Sequence, residues 1–429
     1  MSDIKEFNNL KNEKLQNFNI DKEAIQNNNN IEKNNLKKQI SNIKVRDNRW
    51  DNFKGILIFL VVYAHFLWEY YEKYKYSKVY NIVTFIYIFH MPGFVFCSGF
   101  FSQSQNSKSK QSISKLLILY IIFDSSLMYY YYYYYTEMPN IFNPKNSYWY
   151  LLTLILWRMI IPFFDDENFL IIKSFIIGLI IGYNNHFSMD LFSFKRTFAF
   201  LPFFVLGYKI KKEYFNRIIK ITNILIVKII CIIVFCSYSF NLYENIRKRK
   251  INFTGNMLLM GQYKDKNEIF KRIEVFKLSL IMIILLLLAL PNTKIPIITM
   301  IGRNSLYIFL FHRVFTLLFA RHYGFKVNLL QIMKKSLIGT IIIVIVFGND
   351  YITKYLNLFI DFIYINMSLN TKKGRFIKLI FFLLFILIIL SKPLHEKIME
   401  NKKKEENIKN SIIYDYILKI YYYLFNDNN

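Results

Sequence analysis

Cysteine is nearly absent from this chain of 429 residues: Cys97, Cys231 and Cys236 are the three it has. All lie in apolar segments, and neither their odd number nor their spacing suits paired thiols or metal ligands. That excludes a disulfide framework and a cysteine metal site, and it leaves free thiols packed among helices. No metal is expected. Glycine and proline are scarce, at 13 and 8. Acidic residues are outnumbered, 29 against 56 Lys and Arg, for a formal net charge of +27. In a soluble protein that excess would point to nucleic acid. Here the basic residues gather in loops and tails between apolar runs, which is the pattern of topology control and attraction to anionic lipid. Nucleic acid is therefore not an expected partner. The first 48 residues contain no apolar h-region, so no cleavable signal peptide is expected. No clear repeat relates the two halves of the chain.

What is present is apolar length. Hydrophobic residues make up 54% and aromatic residues 19%, with 43 Phe and 33 Tyr. A helix needs about 20 mostly apolar residues to cross the hydrocarbon core. Runs that meet or approach this recur near 52–68, 79–101, 115–135, 147–164, 168–183, 197–210, 217–240, 274–291, 297–318, 329–348 and 376–391. The expected fold is all-α, a polytopic transmembrane helical bundle of about ten to eleven spans. Residues 352–367 form a further ambiguous apolar stretch. Residues 1–48, rich in Asn and Lys with "NNNN" at Asn27–Asn30, cannot form a core and read as a disordered cytosolic tail. Residues 49–391 form the membrane domain and 392–429 a Lys/Tyr-rich C-terminal tail.

Lys44, Arg46 and Arg49 flank the first span, which acts as its own insertion signal and favours a cytosolic N-terminus. The basic loops Ser102–Lys115 and Lys209–Arg217 fit the cytosol. "RKRK" at Arg247–Lys250 falls outside by the same parity, although long loops follow the rule weakly. The protein is expected in the plasma membrane or an endomembrane. Seven consecutive tyrosines, Tyr129–Tyr135, belong with interfacial aromatics and with the compositional bias of the chain.

Four polar stretches interrupt the apolar runs. In "KGILIFLVVYAHFLW" (Lys54–Trp68), Lys54 and His65 are 11 residues apart. On a helix that is three turns plus about 20°, so they share a face roughly 16 Å apart along the axis. Asp51 lies one turn before Lys54 and can pair with it. An ionisable group at this depth faces a protein interior or a water-filled cavity. A lysine near the mouth and a histidine deeper on one stripe suit a long ligand with an anionic head and a reactive end. The second stretch is "FHMPGFVFCSGFF" (Phe89–Phe101), where Pro92 removes a backbone donor beside His90 and Ser98-Gly99 permits close backbone approach. The third is "FKRTFAFLPFFVLGYKI" (Phe194–Ile210), with Lys195 and Arg196 running into a short aromatic span. The fourth is "IGRNSLYIFLFHRVF" (Ile301–Phe315), where Asn304 or Ser305 can cap a helix and His312 follows two turns beyond Ser305. Each stretch alone also fits ordinary helix packing.

Taken in this order, the stretches resemble acyltransferase family 3, the polytopic membrane O-acyltransferases, and within it the fucose 4-O-acetylase-like branch. The resemblance rests on Asp51, Lys54-Gly55 and His65, "FHMPGFVFCSGF", "WYLLTLILW" (Trp149–Trp157), "FLPFFVLGY" (Phe200–Tyr208) and "IGRNSLYIFLFH" (Ile301–His312), across about residues 46–318. Many members carry arginine where this chain has Lys54, and arginines after the Ser-Gly-Phe turn where it has Lys108, Lys110 and Lys115. The resemblance implies transfer of an acyl group, usually acetyl, from acyl-CoA as donor substrate to a hydroxyl of a sugar or glycan acceptor, with no permanently bound cofactor. In that chemistry His65 would serve as general base or accept the acyl group. His90 and His312 are further catalytic candidates. Ser98, Asn304 or a backbone N–H near Gly99 would stabilise the oxyanion. Lys54, held by Asp51 and helped by Lys115 or Arg196, would meet the CoA phosphates.

Two other readings stay open. A multi-pass transporter would line a path with Lys54, His65, His90 and His312 and predicts half-helices and an internal repeat. A non-catalytic relative would bind lipid or acyl-CoA without turnover.

Overall fold

Helix α1 runs from Asn48 to Trp68 and holds Asp51 in its first turn, where a carboxylate meets the positive end of the helix dipole. Helix α2, Lys78–Ser102, starts at Ser77, whose hydroxyl accepts from the Tyr80 N–H at 3.4 Å, the usual role of an N-cap serine. There follow α3 (Lys108–Tyr135), α4 (Trp149–Ile160), α5 (Leu170–Ile180), α6 (Phe194–Lys209), α7 (Lys212–Thr222), α8 (Leu225–Arg247) and α9 (Gly255–Leu258). The last five are α10 (Glu268–Ala289), α11 (Pro296–Arg303), α12 (Ser305–Tyr323), α13 (Leu329–Gly348) and α14 (Asp350–Ser368). This computed structural model describes residues 47–368, apart from 72, 104–107, 136–143, 145, 165–167, 185–190, 259 and 324–327. The polar tail before residue 47, the span expected near 376–391, the C-terminal tail and part of the loop Ser102–Lys115 lie outside the described residues.

The described chain is helical throughout, without a strand. Among the described residues, five helices are long and apolar enough to cross a membrane: α1, α2, α3 over Ser112–Tyr134, α8 and α13. These five do not confirm the ten to eleven spans expected from apolar runs, and several of the other runs depart from one long apolar helix. Helices α4 and α5 are short, at 12 and 11 residues. Glu268, Lys271, Arg272, Glu274 and Lys277 crowd the first half of α10. The run at 297–318 breaks at Asn304 into α11 and α12, and the run at 217–240 breaks at Asn223-Ile224 into α7 and α8. The ambiguous stretch at 352–367 is helix α14.

Helix α1 is the hub, packed by α2, α11, α12 and α13, while α2 packs chiefly on α6. The glycines of the polar stretches make these crossings possible. A Cβ on Gly302 would strike the Asp51 carbonyl, and one on Gly55 the Ile298 carbonyl, so α1 and α11 touch backbone to backbone. Gly99 and Gly207 do the same for α2 and α6, against the carbonyls of Phe204 and Phe96. Small residues are what permit such contact in apolar bundles. Burial grades outward from this hub: 78% of the apolar window of α2 is inside the protein and 6% of that of α8. Helix α8 leaves most of its apolar surface exposed, as a membrane-spanning helix at the rim of a bundle would.

Pro92 lies inside α2 without ending it. It withdraws the N–H that would serve the Ile88 carbonyl, and the Ser279 hydroxyl of α10 stands 2.5 Å from that oxygen. The segment after α8, expected as an outer loop, folds back on the bundle. Phe253, Met257, Leu258 and Tyr263 are buried, the Phe253 carbonyl accepts from Tyr80 Oη at 3.1 Å, and the Tyr263 N–H donates to the Gly182 carbonyl at 2.8 Å.

Candidate functional site

His65 on α1 and His312 on α12 face each other with ring centroids 5.1 Å apart. Ser147, in the short helical turn before α4, places its hydroxyl between them, 3.2 Å from Nε2 of His65 and 3.5 Å from Nε2 of His312. His90 on α2 stands beside the same space, with Tyr87 edge-on to it at 4.7 Å. His65, Ser147 and His90 line a cavity of about 100 Å³ that is walled by Trp68, Trp149, Phe200 and Leu258 and also lined by Arg196 and Arg313, with His312 behind Ser147. The Arg196 guanidinium lies over the Trp149 ring at 5.5 Å. Arg313, buried, donates to Glu69 at 2.9 Å, which satisfies a charge that would be costly to bury alone.

The proton positions follow from the acceptors. Nδ1 of His312 is 2.7 Å from the Phe309 carbonyl and Nδ1 of His90 is 2.8 Å from the Ile86 carbonyl. A carbonyl only accepts, so both Nδ1 atoms carry hydrogen. With neutral rings, Nε2 of His312 then offers a lone pair. Ser147 has one hydrogen, and donating it to His312 lets its oxygen accept from Nε2–H of His65. The opposite choice would set the lone pair of His312 against that of the serine. This arrangement leaves Nδ1 of His65 as a lone pair, and that atom is buried without a hydrogen-bond partner among the described residues.

A second cavity of about 350 Å³ lies on the Lys54 side. Lys54 pairs with Asp51 at 2.9 Å, as their spacing requires. Arg158 of α4 reaches the same space, held by Ser102 Oγ at 3.3 Å and Ser112 Oγ at 3.1 Å. The Ser98 and Tyr150 hydroxyls, also in this lining, are 2.6 Å apart. The two cavities share two lining residues, Met91 of α2 and Phe309 of α12. One stripe of α1 thus presents Lys54 to one chamber and His65 to the other, with a wall of two side chains between.

The remaining expected residues fall in less predictable places. Arg196, anticipated beside Lys54, belongs to the histidine chamber. Lys115 pairs with Asp361 at 2.5 Å in a neighbouring side cavity that does not include Lys54. The Asn304 amide donates to the Gly348 carbonyl at 2.8 Å and to Asp350 at 2.6 Å, so it ties α11–α12 to α13–α14 and is not aimed at either chamber. Gly99 lies under the Phe204 carbonyl at the α2–α6 crossing. Of the oxyanion candidates, Ser98 is the one in a chamber lining. Among the described residues no group of three or more His, Cys, Asp or Glu is placed to hold a metal ion.

Ser147, Tyr150, Arg158 and Arg313 were not singled out from sequence. Arg313 directly follows His312, Tyr150 lies within the Trp149–Trp157 motif and Arg158 directly follows it, so membership of or adjacency to a motif was the available signal. Ser147 carried none.

A family model described as an acyltransferase domain, of family 3, matches residues 47–348, well over half of the chain. No curated protein and no solved structure matches it.

Proposed function

The chain belongs to acyltransferase family 3, and from that premise we propose that it is a membrane O-acyltransferase moving a short acyl group, acetyl by preference, from acyl-CoA to a hydroxyl of a sugar or related acceptor. The observation that carries this reading is the pair of chambers, one holding Lys54 and Arg158 and the other His65 and His90 with Arg196 and Arg313, that meet at Met91 and Phe309.

The lysine chamber takes the donor. Lys54 and Arg158 supply positive charge for its phosphates, with Asp51 orienting Lys54. Lysine at this position is what the fucose 4-O-acetylase-like branch often carries. The thioester reaches the wall between the chambers. In the histidine chamber, Trp68, Tyr87 and Trp149 offer flat apolar faces, and the arginines offer donors, the mixture expected of a pocket that orients a polyhydroxyl ring.

An alcohol is a poor nucleophile until its proton is removed. Nδ1 of His65 takes that proton as the hydroxyl oxygen bonds to the thioester carbon. The imidazolium then keeps its Nε2–H on Ser147, which leans on His312. The carbonyl oxygen becomes an oxyanion, and the Ser98–Tyr150 hydroxyl pair in the lysine chamber, whose mutual bond leaves one hydrogen free, would donate that hydrogen to it. Collapse breaks the C–S bond, the CoA thiolate leaves, and the proton held by His65 returns to it. The products are an O-acyl ester and free CoA, and His65 is regenerated.

The test is transfer from labelled acetyl-CoA to a panel of sugars by the purified protein, wild type beside His65→Ala. Acceptor-dependent ester formation by the wild type supports the reading. Acceptor flux across vesicles with no acyl-CoA requirement would replace it with a transporter.

A further inference from the structure

The wall between the chambers is built from one stiff and one adaptable side chain. Phe309 is buried and hemmed in by rings: Tyr150 at 5.4 Å, Tyr148 at 6.2 Å and His312 at 5.7 Å. Tyr148 is itself fixed, its hydroxyl donating to the Leu310 carbonyl at 2.5 Å. Met91 has no such frame and is partly exposed to the cavities it separates. Methionine is unbranched, with three rotatable bonds, and moves aside at little cost. It sits between His90, whose ring is anchored to the Ile86 carbonyl, and Pro92, whose freed carbonyl partner is held by Ser279, so its backbone is fixed while its side chain is not.

We infer that Met91 and Phe309 set the length of the acyl group this enzyme transfers. The inference rests on the acyltransfer reading above. In that reading the thioester carbon must lie where the acceptor oxygen can reach it, at the wall. The acyl tail, which projects beyond the carbonyl away from sulfur, then occupies the space that Met91 and Phe309 restrict. A two-carbon acyl group fits beside a methionine side chain, and longer chains collide with it. Truncation to alanine removes Cγ, Sδ and Cε, room for about three methylenes. One methylene in an apolar pocket changes discrimination by roughly tenfold or more. The bond changes are those of the parent reaction, C–S broken and C–O formed, with the proton passing from the hydroxyl through His65 to the thiolate.

The experiment measures kcat/KM for acetyl-, butyryl-, hexanoyl- and octanoyl-CoA with full-length protein in lipid nanodiscs, alongside binding of free CoA. Met91→Ala is expected to raise the butyryl-to-acetyl ratio at least about tenfold, while free CoA binds as in the wild type. Met91→Phe is expected to lower turnover of all chains longer than acetyl. Phe309→Leu, a milder opening of the same wall, gives a second route if Met91→Ala does not fold. An active Met91→Ala or Phe309→Leu with an unchanged chain-length profile overturns the inference alone. A folded wild type that turns over none of the thioesters overturns the acyltransfer reading, and the wall's role with it.

Discussion

His65 and His312 share one hydroxyl: Ser147 Oγ lies 3.2 Å from Nε2 of the first and 3.5 Å from Nε2 of the second. The three groups come from α1, α12 and the turn before α4, so the tertiary fold, not local sequence, creates the relay. It holds Nε2 of His65 and leaves Nδ1 without a hydrogen-bond partner among the described residues.

Ser147→Ala removes the hydroxyl from that relay and keeps both imidazoles. It should lower kcat by about tenfold to a hundredfold through loss of orientation and leave KM for acyl-CoA nearly unchanged. Ser147→Thr, which keeps the hydroxyl, should recover much of the rate. Steady-state kinetics on the three proteins decide this. A rise in KM with constant kcat would mean that Ser147 acts in binding and not in positioning the base.

Arg158 gives a complementary case on the other side of the wall. Its guanidinium is held by two serine hydroxyls in the lysine chamber, and the account assigns it to donor phosphate. Arg158→Gln should raise KM for acyl-CoA by roughly tenfold, the scale of one lost charge-assisted hydrogen bond, with kcat preserved. An acyl-pantetheine donor, which lacks the nucleotide, should show no difference between variant and wild type. Equal losses with both donors would remove Arg158 from phosphate recognition.

The glycine crossings predict a contrast in stability. Gly302→Ala sets a methyl group against the Asp51 carbonyl, where neither backbone can yield, and should destabilise the protein by about 1–3 kcal/mol. Gly339→Ala meets only the edge of the Phe66 ring, which can turn, and should cost less. Thermal unfolding in detergent compares them. Equal melting temperatures would show that α1 and α11 do not pack as tightly as described.

Much of this was legible in the sequence, and the limits have physical causes. The 11-residue spacing of Lys54 and His65 gave one helical stripe, and the structure distributes that stripe over two chambers. The Asp51–Lys54 pair followed from i, i+3 geometry. Apolar runs located the long helices, since lipid and protein interior both select for them. The same runs do not show where a helix breaks: nothing in a run reveals that Asn304 turns the chain or that Asn223 separates α7 from α8. Arg196 was read as a donor-side cation because charge carries no label for which chamber it enters. Ser147 was invisible, because one serine in a polar connection looks like any other until two histidines close on it.

The central claim is that Nδ1 of His65 removes the acceptor proton. Its most direct test is transfer of label from acetyl-CoA to a sugar acceptor by wild type and by His65→Ala, both shown to be folded and to bind free CoA. The variant is expected to bind CoA as the wild type does and to lose about a hundredfold to ten-thousandfold in turnover. A His65→Ala protein that transfers acyl groups at the wild-type rate would contradict it.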